Sequence, residues 1–262
     1  MSLSDYNIYD FVSFPDREVR RKAKAVFFDV TKLRLNMGTY LQNNSQQQKS
    51  YDWELPFIIE NILAAENERR NSFEEVMRRI NNQISVVDIT LMTVFGYHEK
   101  MLVYAEHKEY DKYVIVEMLF RYECVRACFE YYSIKEKYKT VLRQLYRVPI
   151  SPKTTESKFF EKLKTVTSGN TYVERFIVAC VALSNSPNYK FVMGIRNDEV
   201  HNIPLIDDST FVHYSPEHGL QVGGPDYIKD SGVLFSTIKA AYDELVPVKD
   251  SLQRIIDNHI AY

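Results

Sequence analysis

Glycine and proline are scarce in this chain, with 8 and 9 among 262 residues, and glycine falls below half of ordinary usage. So few backbone breakers over such a length favour long helices. Tryptophan is almost missing, with Trp53 alone. The three cysteines, Cys124, Cys128 and Cys180, are odd in number and include no Cys-x2-Cys pair, which excludes a zinc ribbon and disfavours a disulfide framework. Charge is nearly balanced at −2, so no global cationic field recruits nucleic acid, and any RNA-binding surface must come from local clustering. The longest clean apolar run, Phe176 to Leu183, is too short to span a bilayer. The N-terminal MSLSDYNIYDF lacks a basic region followed by an apolar core and does not read as a signal peptide. A cytoplasmic protein without a membrane partner is expected. No HExxH, phosphate-binding glycine loop, GxSxG or dinucleotide fingerprint occurs, which removes support for most ordinary enzyme classes.

What is present is ordinary globular composition, 45% hydrophobic and 26% charged, enough to bury one large core or two small ones. Pro15-Asp16 opens a charged amphipathic run that predicts a helix to about Gly38. The polar stretch Asn43 to Gln48 reads as a loop. Pro56 suits the first turn of a second helix, where Ile58, Ile62 and Ala65 repeat at helical spacing. The register continues through Phe73, Met77, Ile80, Ile84, Val87 and Leu91, with Gly96 as the one interruption before Tyr110. A further long helix is predicted from about Asp111 to Tyr146, with Pro149 and Pro152 after its end. Shorter helices follow over Ser157 to Thr167, Thr171 to Ser186 and Asn188 to about Asn202, and Pro204 closes the last of them. Thr210 to Tyr214 and Leu220 to Val222 flank Ser215-Pro216-Glu217-His218-Gly219, which reads as a small β-hairpin. A final helix, about Val233 to Ile260, is expected to kink or break at Pro247. No internal repeat appears. The fold class is therefore all-α, a bundle of long antiparallel helices with a small β-hairpin insertion near residues 210–222. Residues 1–110 form an N-terminal helical region of unassigned role and residues 111–262 the helical domain that carries the motif, expected to pack as one globular unit.

That motif is Gly194-Ile195-Arg196-Asn197-Asp198-Glu199-Val200-His201-Asn202. It sets a fixed cation and a titratable base with four residues between them, the two groups a metal-free ribonuclease site needs. Spacing alone is weak: 15 arginines and 6 histidines produce roughly 0.3 chance matches in a chain of this length. The chain holds a second match, Arg254 and His259. Context separates them. Arg254 is followed by Ile255 and Ile256, which read as a core face, whereas Arg196 is followed by asparagine and acids near a helix end. Asp198 and Glu199 are also able to occupy the Arg196 fork or raise the His201 pKa.

Arg196, Asn197 and His201, placed after an apolar helix in an all-α chain, resemble the signature of the HEPN superfamily, in particular its longer bacterial groups. The resemblance covers the motif and the helical organisation of roughly the last 150 residues. It implies a metal-independent endoribonuclease with no cofactor, which dimerises so that two motifs face one another. On this sequence His201 would act as general acid or base on a ribose 2′-hydroxyl. Arg196 would hold the scissile phosphate, and Asn197 would orient the phosphate or His201. Cleavage would leave a 2′,3′-cyclic phosphate and a 5′-hydroxyl. A toxin or phage-defence effector cutting tRNA or mRNA, with a cognate antitoxin as partner, is the implied setting. The alternative is a non-catalytic helical module that binds RNA or protein.

Other candidates have plainer readings. Asn202, Lys158 and Lys162 are candidate substrate-binding residues. The two lysines belong to a cluster with Lys153 and Lys164, and a second basic cluster comprises Arg17, Arg20, Arg21, Lys22 and Lys24. The default for both clusters is a solvated helix face. Cys124 and Cys128 lie one turn apart and read, with Cys180, as buried free thiols and not as metal ligands. His213 and His218 flank the hairpin turn, and His98 and His107 read as solvated surface.

Overall fold

The structure is a computed structural model. It describes the backbone of residues 17–36, 38, 56–149, 154–201, 211–215, 219–223 and 231–259, and the side chains of these except 56–72, 198–201 and the two strands. The expected loop at 43–48, the 216–218 turn, Lys153 and Asn202 lie outside the described residues. In chain order the elements are α1 (Arg17–Lys22), α2 (Pro56–Glu106), α3 (Tyr110–Tyr146), α4 (Glu156–Val166), α5 (Thr171–Asn185), α6 (Pro187–His201), β1 (Phe211–Ser215), β2 (Gly219–Gly223) and α7 (Ser231–Asn258). The protein is overwhelmingly α-helical. The strands β1 and β2 pair antiparallel, with Val212 opposite Val222 and Ser215 opposite Gly219.

Three boundaries differ from expectation. The first helix does not reach Gly38: α1 passes into a π turn over Ala23–Phe27 and stops at Phe28, which is extended at φ −158° and ψ 134°. The cause lies in the burial pattern, because Phe27, Phe28, Val30, Leu33 and Leu35 are all buried and cannot share one face of a helix. Gly96 does not interrupt α2, which ends only at Glu106, before Lys108 turns with φ 58°. Similarly, α7 is not broken at Pro247 and runs through it as a single element. Elsewhere local chemistry sets the ends as read. Gly169 takes φ 78° after α4, and the Asn170 side chain accepts from the amides of Tyr172 and Val173 at 3.0 and 3.3 Å, capping α5.

The chain forms two compact units, and neither is a contiguous half. The first comprises Met1–Val30, Ser85–Tyr132 and Asn185–Asp243, and the second Thr31–Ile84, Ser133–Ser184 and Glu244–Tyr262. The boundary expected at 110 falls at the turn between α2 and α3, and both flanking segments belong to the first unit.

In the first unit an aromatic cluster forms the core. Phe27 stacks on Phe235 with centroids 4.5 Å apart, and Phe95 lies 6.4 Å from both. Cys124, Ala127 and Cys128, at i, i+3 and i+4 on α3, are buried small residues. Beside them Tyr242 packs edge-on to Tyr131 and donates its hydroxyl to Ala127 O at 2.8 Å, so this buried phenol is satisfied.

In the second unit the non-helical residues Leu35 and Asn36 are held by side-chain amides that pair with their backbone. Asn81 accepts from Leu35 N and donates to Leu35 O at 3.1 and 3.0 Å. Gln253 does the same for Asn36, at 2.8 and 2.7 Å. Tyr138, fully buried, donates to Leu33 O at 2.6 Å. Each backbone polar group in this irregular segment that is thereby paired avoids an unmet desolvation cost of about 1–3 kcal/mol.

Candidate active site

The helix that carries the motif starts on strong local signals. Ser186 precedes Pro187, its hydroxyl accepts from Tyr189 N at 3.3 Å, and its carbonyl accepts from Lys190 N at 3.1 Å. This is a serine cap followed by proline at the first helical position. Val192 and Ile195 are buried, and Tyr189 tilts onto Tyr131 of α3 at 6.2 Å. These contacts fix the inner face of α6, and Arg196 stands at its edge, half-buried.

The Arg196 guanidinium lies over the Tyr132 ring, 4.6 Å from its centroid, and 6.0 Å from that of Phe129. Both aromatics come from α3, three residues apart and so on one face. A partly desolvated stack of this kind is worth about 0.5–2 kcal/mol. Arg196 Nη1 donates to Asn197 Oδ1 at 3.0 Å. Its Nε is buried without a hydrogen-bond partner, and no ion pair joins Arg196 to any described acid. The buried Nε is closed to an incoming anion, but the guanidinium has five N–H donors and only the Nη1 bond to Asn197 uses one among the described residues. The Asp198, Glu199 and His201 side chains lie outside the described set.

His201 ends α6, five residues after Arg196 on one unbroken helix. That separation is a rise of about 7.5 Å and a rotation of about 140° about the axis. The structure therefore joins Arg196 to Asn197 and places His201 one and a half turns on. Lys158 and Lys162 belong to the second unit, on α4, and both are exposed. Lys162 donates to Pro149 O at 3.0 Å.

The aromatic platform under Arg196 was not read from the sequence. Its signal, Phe129-Glu130-Tyr131-Tyr132, stands within a helix pattern where aromatics read as core, and Tyr131 is core. The second unit holds another group missed in the same way. Lys135 is almost fully buried, and its ammonium lies 3.0 Å from Glu156 Oε2 and 3.1 Å from Ser184 Oγ. Lys139 also reaches Glu156, at 3.4 Å. Glu156 opens α4, so this cluster ties α3, α4 and α5 together, and removing one partner would leave a buried charge.

The cysteines are buried and free. Burial pushes the Cys180 thiol up to about 12 and raises Cys124 and Cys128 as well, which makes all three poor nucleophiles. His98 is not solvated surface. It is half-buried and stacks on Phe235 with centroids 4.0 Å apart and 11° between the planes, at the edge of the aromatic cluster; His107 is exposed. Among the described residues, no group of three His, Cys, Asp or Glu side chains is placed to hold a metal, and no helix is long and apolar enough to cross a membrane. Compared with protein-family models, with curated proteins and with solved structures, the chain finds no match.

Proposed function

We propose that this protein is an endoribonuclease of HEPN type, cutting RNA by attack of a ribose 2′-hydroxyl on the adjacent phosphate, without a required metal. The observation that carries the reading is Arg196: a half-buried cation stacked on Tyr132, hydrogen-bonded to Asn197 and unpaired with any described acid. Such an arginine suits a phosphate whose charge grows in the transition state. His201 accepts the 2′-hydroxyl proton or protonates the leaving 5′-oxygen, its ordinary pKa near 6.5 serving either role at neutral pH.

The rotation of about 140° between Arg196 and His201 favours a site completed by a second copy of the chain, each motif supplying one group to a shared cleft. The same rotation favours the second reading, a non-catalytic helical module that binds RNA or a protein, should the chain act alone. Asn202, Lys158 and Lys162 remain proposed contacts to the RNA backbone, and a toxin or defence role with a protein antitoxin is the proposed setting.

The test is incubation of purified protein with total RNA in excess EDTA, followed by analysis of the ends. Fragments ending in 2′,3′-cyclic phosphate and 5′-hydroxyl are expected. Intact RNA that nonetheless shifts with the protein on a gel would favour the binding module.

A further inference from the structure

Four cations, Arg17, Arg20, Arg21 and Lys24, recur at i, i+3, i+4 and i+7 along α1 and its π turn, and all four are exposed. At about 100° per residue they fall within a wedge of about 100° and extend over about 10 Å of helix. The one acid of this segment, Glu18, lies on a different line. Arg17, Arg21 and Lys24 enter no ion pair among the described residues. In a chain of net charge −2 this is a local cationic ridge.

The opposite face of the same segment is clamped. Gly96 of α2 lies so close that a Cβ there would stand 3.9 Å from Val19 Cγ1. Ala23 and Phe27 are buried, and Phe27 stacks on Phe95 and Phe235. The cations are therefore carried on an anchored scaffold, which lowers the entropy lost on binding. The clamped apolar face also separates this segment from helices that lie in a bilayer interface, which need that face free to enter lipid. Three of the four cations are arginine, whose fork matches phosphate oxygens.

We infer that this ridge of α1 tracks the phosphate backbone of single-stranded RNA, forming a binding surface in the same compact unit as Arg196 and outside the Arg–His motif. The choice of RNA rests on the proposed nuclease reading, but the surface itself can be tested without cleavage.

The experiment measures binding of a fluorescein-labelled 2′-O-methyl oligouridylate, which lacks the attacking hydroxyl, to the full chain by anisotropy as salt rises from about 50 mM to about 200 mM. Replacing Arg17, Arg21 and Lys24 together by alanine is expected to weaken binding tenfold or more at the lower salt. It is also expected to reduce the log–log salt slope by about 2, at roughly 0.7 per phosphate contact on a single strand. Arg17→Lys with Arg21→Lys should keep the slope, which distinguishes lost charge from a misfolded helix. An unchanged slope in the alanine variant would overturn the inference, as would wild-type protein that binds phosphatidylserine vesicles but not the oligonucleotide. Salt-dependent binding through these residues by a protein that leaves natural RNA intact would sink the nuclease reading while supporting this surface.

Discussion

Arg196–His201 and Arg254–His259 have the same spacing and opposite surroundings. The first arginine is half-buried, laid on Tyr132 and left with a buried unpartnered N–H. The second is exposed on α7, its carbonyl accepting from Asn258 at 2.7 Å, and the next two residues, Ile255 and Ile256, are buried. His259 is half-buried with its ring edge-on to Tyr146, 5.3 Å away. Spacing thus says little. What distinguishes the pairs is whether the neighbours lay the cation on an aromatic ring or direct the helix into a core.

The largest effects should fall on opposite assays. Alanine at Arg196 or His201 is expected to reduce RNA cleavage by about 10²–10³-fold or more, with Arg196→Ala losing no more stability than its aromatic stack supplies, about 0.5–2 kcal/mol. Ile256→Ala, in the second region, is expected to do the reverse: about 2–5 kcal/mol of stability lost in a urea titration, and cleavage by the folded fraction unchanged. Loss of cleavage in Ile256→Ala beyond its unfolded fraction would break the contrast.

A smaller effect concerns the platform. Tyr132→Ala should lower cleavage by roughly three- to thirtyfold, the equivalent of losing about 0.5–2 kcal/mol of stacking that positions Arg196. Tyr132→Phe keeps the ring and should retain most activity. Equal losses in the two variants would assign the role to the hydroxyl and not to the ring face.

The sequence made the helices legible wherever capping and periodicity agreed. The passage from α4 to α5 is such a place, whereas the serine cap of α6 reads in the sequence as the end of the helix before it. The sequence failed where tertiary burial overrode a local signal. Phe27 and Phe28 are both buried, although one straight helix would present them to different sides, and the chain answers with a π turn. Gly96 and Pro247 weaken helices locally, yet α2 and α7 are long enough to continue through them. At the site, Arg196 and Asn197 were readable as a pair. Tyr132 was not, because a helical aromatic seldom announces whether its ring covers the core or carries a cation. His98 erred in the same direction, since charged neighbours concealed its stacking on Phe235.

The smallest effect is electrostatic and belongs to the second region. Burial holds the pKa of His259 below its ordinary value of 6.5, so the folded state favours the neutral ring. As pH falls below 6.5 the unfolded chain takes up the proton first. The contribution to stability is therefore complete above that pH and is lost as pH drops towards the folded pKa. Thermal unfolding followed from pH 7 down to about 5 should show a slightly steeper decline in wild type than in His259→Gln. Parallel curves would mean that the ring titrates as freely folded as unfolded.

The most direct measurement is cleavage of one RNA in excess EDTA by wild type, Arg196→Ala, His201→Ala, Arg254→Ala and His259→Ala, side by side. Cleavage with cyclic phosphate ends by wild type and by both second-region variants, and by neither first-region variant, is the predicted result. Equal cleavage by all five proteins, or by none, would contradict it.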